Sequence, residues 1–287
     1  MKVLLFGETG QVARAVIAAG PRHDAHIWPL GRNEANLSDP HVCAAHIAKS
    51  DADAVINAAA WTAVDAAETE EDAAFAINAT APGAMAEACA TKGIPFIHIS
   101  TDYVFEGSEG PAWLPGDLTK PLGAYGRTKL AGEQKVASAG GAYVILRTAW
   151  VFDATGKNFV TTMLRLAKTR HTLSVVADQV GGPTPAAAIA DACLTIAKQL
   201  VAGSGKSGIY HFTGAPDVSW AEFARTIFAS AGHDMTVQDI TTADYPTPAK
   251  RPANSRLDCA SLQADYGIAR PDWQAALRQM FAEGATS

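Results

Sequence analysis

Three observations predict an α/β chain: a doubly wound parallel sheet with a smaller C-terminal α/β subdomain. Short apolar runs at 3–6, 26–30, 54–57, 95–99, 143–146 and 173–176 alternate with helical segments as far as about residue 200. That alternation is the pattern of successive βαβ units, with helices on both faces of one sheet. The first run ends in a glycine turn that opens directly into helical periodicity (Val12, Ala15, Val16, Ala19). After Gly203-Ser204-Gly205 the composition changes, and a short strand pattern, helix patterns and a Pro-rich loop replace the alternation. Residues 1–150 are therefore expected to form a dinucleotide-binding domain, with 171–203 returning to complete its sheet. Residues 151–170 and 204–287 form the expected substrate-binding subdomain. With 287 residues, 48% of them hydrophobic, the chain can bury a substantial core.

The first unit reads Lys2-Val3-Leu4-Leu5-Phe6-Gly7-Glu8-Thr9-Gly10-Gln11-Val12-Ala13. Gly7 permits a tight turn, and Gly10 lets backbone N–H groups approach a pyrophosphate where Gln11 and Val12 start the helix. Ala13 is small enough for close helix–strand packing. This is a Rossmann-type nucleotide signature. The second strand ends at Gly31-Arg32-Asn33. An acid there suits the ribose hydroxyls of NAD, whereas an Arg suits a 2′-phosphate, so Arg32 points to NADPH, with NADH as the lesser alternative. A plain solvated cation is the other reading of Arg32. The third strand runs into Ala58, Ala59 and Ala60, small residues where a flat cofactor passes close to the backbone.

The acidic run Glu68–Asp72 reads as a solvated helix start that suits the helix dipole, and Asp72–Thr91 and Ala186–Leu200 are Ala-rich helices. The strand at 95–99 leads to Ser100-Thr101-Asp102, and a Pro/Gly-rich loop (107–126) precedes Tyr125-Gly126-Arg127-Thr128-Lys129. Residues four apart share a helix face, so Tyr125 and Lys129 can point into one cleft. A neighbouring ammonium would lower the tyrosine's pKa and make it a proton donor to a carbonyl oxygen. The Thr101 hydroxyl could bond the same oxygen. Alone the Tyr-x-x-x-Lys pair is a weak signal; the glycine turn upstream gives it weight. In the C-terminal part, 208–212 reads as a strand, Trp220–Ala231 as a helix, 246–256 as a Pro-rich loop, and Trp273–Phe281 as a final helix.

A net charge of −6 argues against nucleic acid as the main partner. Cys43, Cys89, Cys193 and Cys259 lack metal-site spacing and read as reduced, buried thiols. No apolar run approaches the ~18 residues of a membrane span, and Met1-Lys2 leads straight into a strand, which predicts no signal peptide. A cytoplasmic protein without a membrane partner is expected.

The chain resembles the extended short-chain dehydrogenase/reductase superfamily and, within it, the dTDP-4-dehydrorhamnose reductase family. The superfamily motifs are the glycine turn, Asn57-Ala58-Ala59-Ala60-x-Thr62-Ala63-Val64-Asp65, Ser100–Phe105 and Tyr125–Lys129. Arg147-Thr148-x-Trp150-Val151-Phe152 and Arg251-Pro252-x-Asn254-Ser255-Arg256-Leu257 point to the narrower family. The resemblance implies NADPH-dependent reduction of the C4 keto group of dTDP-4-dehydro-β-L-rhamnose to dTDP-L-rhamnose. It implies Thr101, Tyr125 and Lys129 as catalytic residues. Thr101, Asp102, Trp150, Arg251 and Asn254 would meet the nucleotide sugar, with Arg251 and Arg256 suited to a diphosphate. Gly7, Gly10, Gln11, Val12, Arg32, Ala58, Ala59, Ala60, Asn78, Tyr125 and Lys129 would serve the cofactor, Asn78 holding the superfamily's structural Asn position. His98, inside a strand pattern, reads as a core histidine.

Two departures bear on assembly and cofactor choice. Relatives that bridge a dimer through magnesium place glutamates where this chain has Ala15 and Ala186-Ala187-Ala188, so no metal is expected, and a monomer or a metal-independent homodimer is. Asn36-Leu37-Ser38-Asp39 replaces the usual Asp-Leu-Thr-Asp beside the ribose. Two other functions stay open at this point. One is a different 4-keto-sugar reductase or an epimerase/dehydratase of the superfamily; the other is a non-catalytic NADP-binding regulatory subunit.

Overall fold

The computed structural model describes residues 1–284. Six parallel strands form the central sheet in the order Gly208–His211, Tyr143–Thr148, Phe96–Thr101, Ala54–Asn57, Lys2–Phe6, His26–Leu30. The order reverses beside Lys2–Phe6, so a crevice opens at the C-terminal ends of that strand and Ala54–Asn57, where such sheets bind ligands. Successive residues of the first strand serve opposite faces. Val3 and Leu5 pack under the helices Gln11–Ala19 and Ala186–Val201, while Leu4 and Phe6 pack under Pro40–Lys49 and Ala81–Lys92. Burial on both faces is what gives the strands their continuous apolar runs.

One strand departs from the expected topology. Thr172–Val176 does not complete the central sheet; it pairs in parallel with Thr236–Ile240 as a separate two-stranded ribbon. Gly208–His211, expected in the smaller subdomain, takes the sixth place beside Tyr143–Thr148. The reason lies in burial. Leu173 and Val175 are buried but Thr172 and Ser174 are exposed, so that strand has only one dry face. Its apolar face joins a separate core with Phe152, Leu164, Phe223, Ile227, Trp273 and Leu277. The helix Ala186–Val201 does return to the central sheet, against Gln11–Ala19.

The Ala-rich stretch after residue 70 is helical as expected, with a π-helical turn inside it. Glu71–Phe75 is followed by a π-helical turn, Ala76–Thr80, and then Ala81–Lys92. The Pro/Gly-rich loop is tied down along its length. Trp113 stacks on Phe105 at 4.8 Å and its indole N–H donates to the Asn254 carbonyl at 3.1 Å. No helix among the described residues is long and apolar enough to cross a membrane.

Candidate active site

Gly7 adopts φ +116°, and a side chain there would come within 3.2 Å of the Ala13 methyl and 3.4 Å of the Ala58 backbone. The glycine turn thus presses against the start of the Ala58–Ala60 loop. The helix Gln11–Ala19 begins at Gly10 with no side-chain cap. Its first-turn N–H groups therefore remain available to a phosphate. This arrangement fits a dinucleotide: the polar helix end is uncapped and small residues line its approach. Residues 153–158, which the sequence did not single out, lie over the turn. Asn158 donates to Gln11 Oε1 at 3.0 Å, and Arg14 reaches Asp153 at 3.2 Å and the Thr155 hydroxyl at 3.0 Å. Their one legible signal was the capping box Asn158-x-x-Thr161.

Arg32 is exposed and makes no side-chain hydrogen bond or ion pair among the described residues. The carboxylates of Glu8 and Glu34 crowd Gly31, 2.5 and 3.1 Å from where its Cβ would stand. A free Arg and two acids thus share the end of the second strand. Asn78 is placed differently from a cofactor ligand. It is fully buried in the π-turn, accepts from Trp61 N at 2.8 Å and donates to the Trp61 carbonyl and the Thr128 hydroxyl at 3.1 Å each. Its amide is spent clamping the Ala58–Trp61 loop to the Tyr125 helix.

Thr101 ends the strand Phe96–Thr101, and Tyr125 and Lys129 project from the helix Ala124–Ser138 beside it. Gly126 makes the close fit: a Cβ there would collide with the Tyr103 carbonyl. The acidic run lies on the surface as expected, with Glu68, Glu70 and Asp72 exposed, and two of its acids also anchor this helix. Glu68 accepts from Ala124 N at 2.9 Å, where an acid suits the helix dipole, and Glu71 grips Arg127 with two bonds of 2.9 and 2.7 Å. The Tyr125 ring meets Tyr103 edge-on at 5.4 Å. The electrostatics differ from the sequence expectation. Burial and, less strongly, the Asp102 carboxylate push the Tyr125 phenol up to about 12, against the pull of Thr101. Lys129 does not lower it: its Nζ donates to the Ile99 carbonyl at 2.7 Å and lies 3.2 Å from His98 Nε2.

Asp102 is buried beside Thr101, whose hydroxyl donates to its Oδ1 at 3.0 Å; Oδ2 has no partner among the described residues. Burial pushes this carboxyl up to about 6, with Ser255 and Thr101 holding it back. Arg251 pairs with Asp65 at 3.2 Å and keeps a second buried nitrogen, Nη1, unpartnered. With Thr148 Oγ1, opposite Thr101 on the next strand, three buried polar atoms of this region have no partner among the described residues and are open to a polar ligand. Asn254 does not present its amide there. It donates to the Pro111 carbonyl at 2.9 Å and accepts from Arg256 Nε at 2.9 Å, so it holds the loop. Arg256 is spent in the same way on the Gly110 carbonyl. Trp150 is half-buried at φ +51°, a backbone region unfavourable to a bulky residue, and stacks on Trp220 with ring centroids 3.6 Å apart.

Known proteins share this fold and family. The chain matches the family described as the RmlD substrate binding domain over residues 1–286. It is 44% identical over 286 residues to a dTDP-4-dehydrorhamnose reductase of Sinorhizobium fredii, covering 98% of this chain and 96% of that one. Among solved structures it resembles the dTDP-4-dehydrorhamnose reductase of Clostridium acetobutylicum at 35% identity and TM-score 0.92, covering 99% of both chains. It also resembles that of Bacillus anthracis in complex with NADP, at 32% identity and TM-score 0.90, again over 99% of both.

Proposed function

The chain belongs to the family of the RmlD substrate binding domain, and from that premise we propose that it is an NADP-dependent oxidoreductase. It reduces the C4 keto group of dTDP-4-dehydro-β-L-rhamnose to give dTDP-L-rhamnose, a nucleotide-sugar precursor of polysaccharides. The observation that carries this reading is that Thr101, Tyr125 and Lys129 meet at the end of the strand Phe96–Thr101, on the same C-terminal edge of the parallel sheet as the uncapped glycine-turn helix. When bound, NADPH supplies the hydride to the keto carbon. Tyr125, held protonated by its burial, donates the proton to the carbonyl oxygen. Thr101 orients that oxygen, and its hydroxyl must turn away from Asp102 to donate to it. Asp102 and Arg251, with their unpartnered buried atoms, meet the nucleotide sugar. The reading is tested by following NADPH oxidation across several dTDP-4-keto sugars. Turnover of dTDP-4-dehydrorhamnose supports it. Sugar interconversion on tightly held NAD would point to an epimerase or dehydratase, and no turnover with any sugar to a regulatory subunit. The four cysteines, all buried and free, are consistent with work in a reducing cytoplasm.

Cofactor choice follows from the end of the second strand. A charge-assisted contact from Arg32 to a 2′-phosphate is worth ~1.5–3 kcal/mol, and the neighbouring Glu8 and Glu34 oppose it, which leaves about a tenfold preference for NADPH. Arg32→Ala should weaken NADPH binding by about that factor and leave NADH nearly unchanged. Equal losses for the two cofactors would remove Arg32 from this role.

Assembly is expected to ignore chelators. Ala15 and Ala188 stand half-buried where the helices Gln11–Ala19 and Ala186–Val201 meet, and methyl groups cannot ligate a cation. The nearby Asp191 is already paired with Arg22 and His23, each at 2.9 Å. Sedimentation velocity with and without EDTA should give the same species; a dimer that dissociates on chelation would overturn this.

A further inference from the structure

A buried polar chain runs from the cofactor-lining loop to Lys129. Ala59 N–H donates to Asn57 Oδ1 at 3.1 Å, Asn57 Nδ2 lies 3.2 Å from His98 Nδ1, and His98 Nε2 lies 3.2 Å from Lys129 Nζ. Asn57, His98 and Lys129 are each at most 1% exposed, so water cannot repair a mismatch. The strands hold the chain in register, with Asn57 opposite His98 on adjacent parallel strands.

Hydrogen-bond direction along this chain is fixed from one end. The Ala59 N–H can only donate, so the Asn57 oxygen must face it and the Asn57 NH2 must face His98. Nδ1 is then an acceptor, and a neutral imidazole carries its single proton on Nε2. That Nε2–H points at Lys129 Nζ, and only a neutral amine has the lone pair to receive it. The alternative begins with an ammonium donating to Nε2, which puts the ring proton on Nδ1, against the Asn57 NH2. Turning the Asn57 amide moves the conflict to Ala59, where NH2 would face N–H. Either way a donor is left without a partner: at the fully buried Asn57–His98 contact, where it costs about 1–3 kcal/mol, or at the half-buried Ala59 N–H, where the Asn57 NH2 now faces it.

We propose that His98, acting with Asn57, is a positioning residue for Lys129, carrying the direction set by the Ala59 N–H to the lysine and favouring its amine over its ammonium. The role rests on the reductase reading of Lys129. It couples the loop expected to line the cofactor to the protonation state of the lysine beside Tyr125. The surroundings agree in sign. Burial pushes Lys129 down to about 8, and His98 is held well below the ordinary histidine range by burial and by Lys129. Glu133, one turn along the same helix, pulls Lys129 the other way, but its carboxylate is already engaged by Arg147 and Ser100. Tyr125, one turn before Lys129, stays a neutral phenol up to about 12. A lysine balanced near working pH can pass on a proton and regain it, whereas one locked as ammonium cannot.

Nitrogen NMR of the labelled full-length chain tests this without an activity assay. His98 should be a neutral Nε2–H tautomer, and Lys129 should titrate well below a free lysine. Asn57→Asp supplies a carboxylate that accepts from both Ala59 N–H and His98 Nδ1–H. It should switch His98 to the Nδ1–H tautomer and raise the Lys129 midpoint by roughly one unit or more. His98→Gln, whose carbonyl can accept from the ammonium, should raise it as well, and the alkaline limb of kcat/KM should move in step. An Nδ1–H tautomer in the parent chain overturns the proposal, and that measurement needs no variant. A Lys129 midpoint that both substitutions leave in place overturns it too. If the NMR results hold but no dTDP-4-keto sugar is reduced, the functional reading fails and the coupling stands.

Discussion

Tyr125→Phe is expected to lower kcat by about 10²–10⁴-fold, the usual worth of positioned proton transfer, with NADPH affinity close to that of the parent. The substitution removes one oxygen. The ring remains, with its edge-on contact to Tyr103 at 5.4 Å, so the helix and cofactor approach should survive. The size of the loss reflects how the phenol is poised. Burial and, less strongly, Asp102 push it up to about 12, so it stays protonated through the whole working range. As the general acid proposed here, it would draw its acidity from the charge developing on the substrate oxygen, since the Lys129 Nζ is directed at Ile99 and His98. Steady-state kcat together with an equilibrium NADPH titration checks this. A variant with near-parent kcat would exclude Tyr125 as the general acid, and a loss confined to NADPH affinity would make it a binding residue.

The parts legible in the sequence were those with local causes. The strand runs through residue 148, the glycine turn and the Tyr125–Lys129 pair each depend on residues a few positions apart, and each lies where its pattern placed it. Pairing partners have no such local cause. The runs 173–176 and 208–211 are both short and apolar, and which one enters the central sheet depends on what covers each face. Thr172 and Ser174 are exposed, which leaves the strand Thr172–Val176 a single apolar face. Asn78 and Asn254 show a second limit. Asn78 does clamp a loop, as a structural position implies, but its amide is not free for a cofactor; Asn254, expected to meet the nucleotide sugar, holds a loop as well, because a buried amide must find partners wherever the fold brings them. That Glu68 and Glu71, on a solvated surface, also hold the Tyr125 helix had no local sign, because their partners, Ala124 N and Arg127, stand 56 residues away. His98 carries no local sign that both of its ring nitrogens are engaged.

The largest stability effect is expected at Arg147. Its guanidinium and the Glu133 carboxylate are each 2% exposed and meet through bonds of 2.9 Å at Nε and 2.6 Å at Nη2. Ser100 donates to the same carboxylate at 2.5 Å, and Arg147 Nη1 donates to the Pro115 carbonyl at 3.2 Å. The pair thus joins the strand Tyr143–Thr148, the Tyr125 helix and the Pro/Gly-rich loop, with the guanidinium 5.0 Å above the Phe105 ring. Burying two charges is itself costly, so the pair need add little net stability. Breaking it is another matter, because Arg147→Leu leaves a buried carboxylate without the cation bonded to it. That should cost ~3–5 kcal/mol, a large share of the ~5–15 kcal/mol that holds a typical protein folded. Glu133→Leu combined with Arg147→Met removes both charges and should be markedly more stable than Arg147→Leu alone. Urea unfolding of the three proteins separates the contributions. A single variant within about 1 kcal/mol of the parent would show that the Glu133 carboxylate finds water or another donor when Arg147 is gone. A double variant no better than the single would show that the bonds to Ser100 and Pro115, and not charge pairing, are what these residues supply.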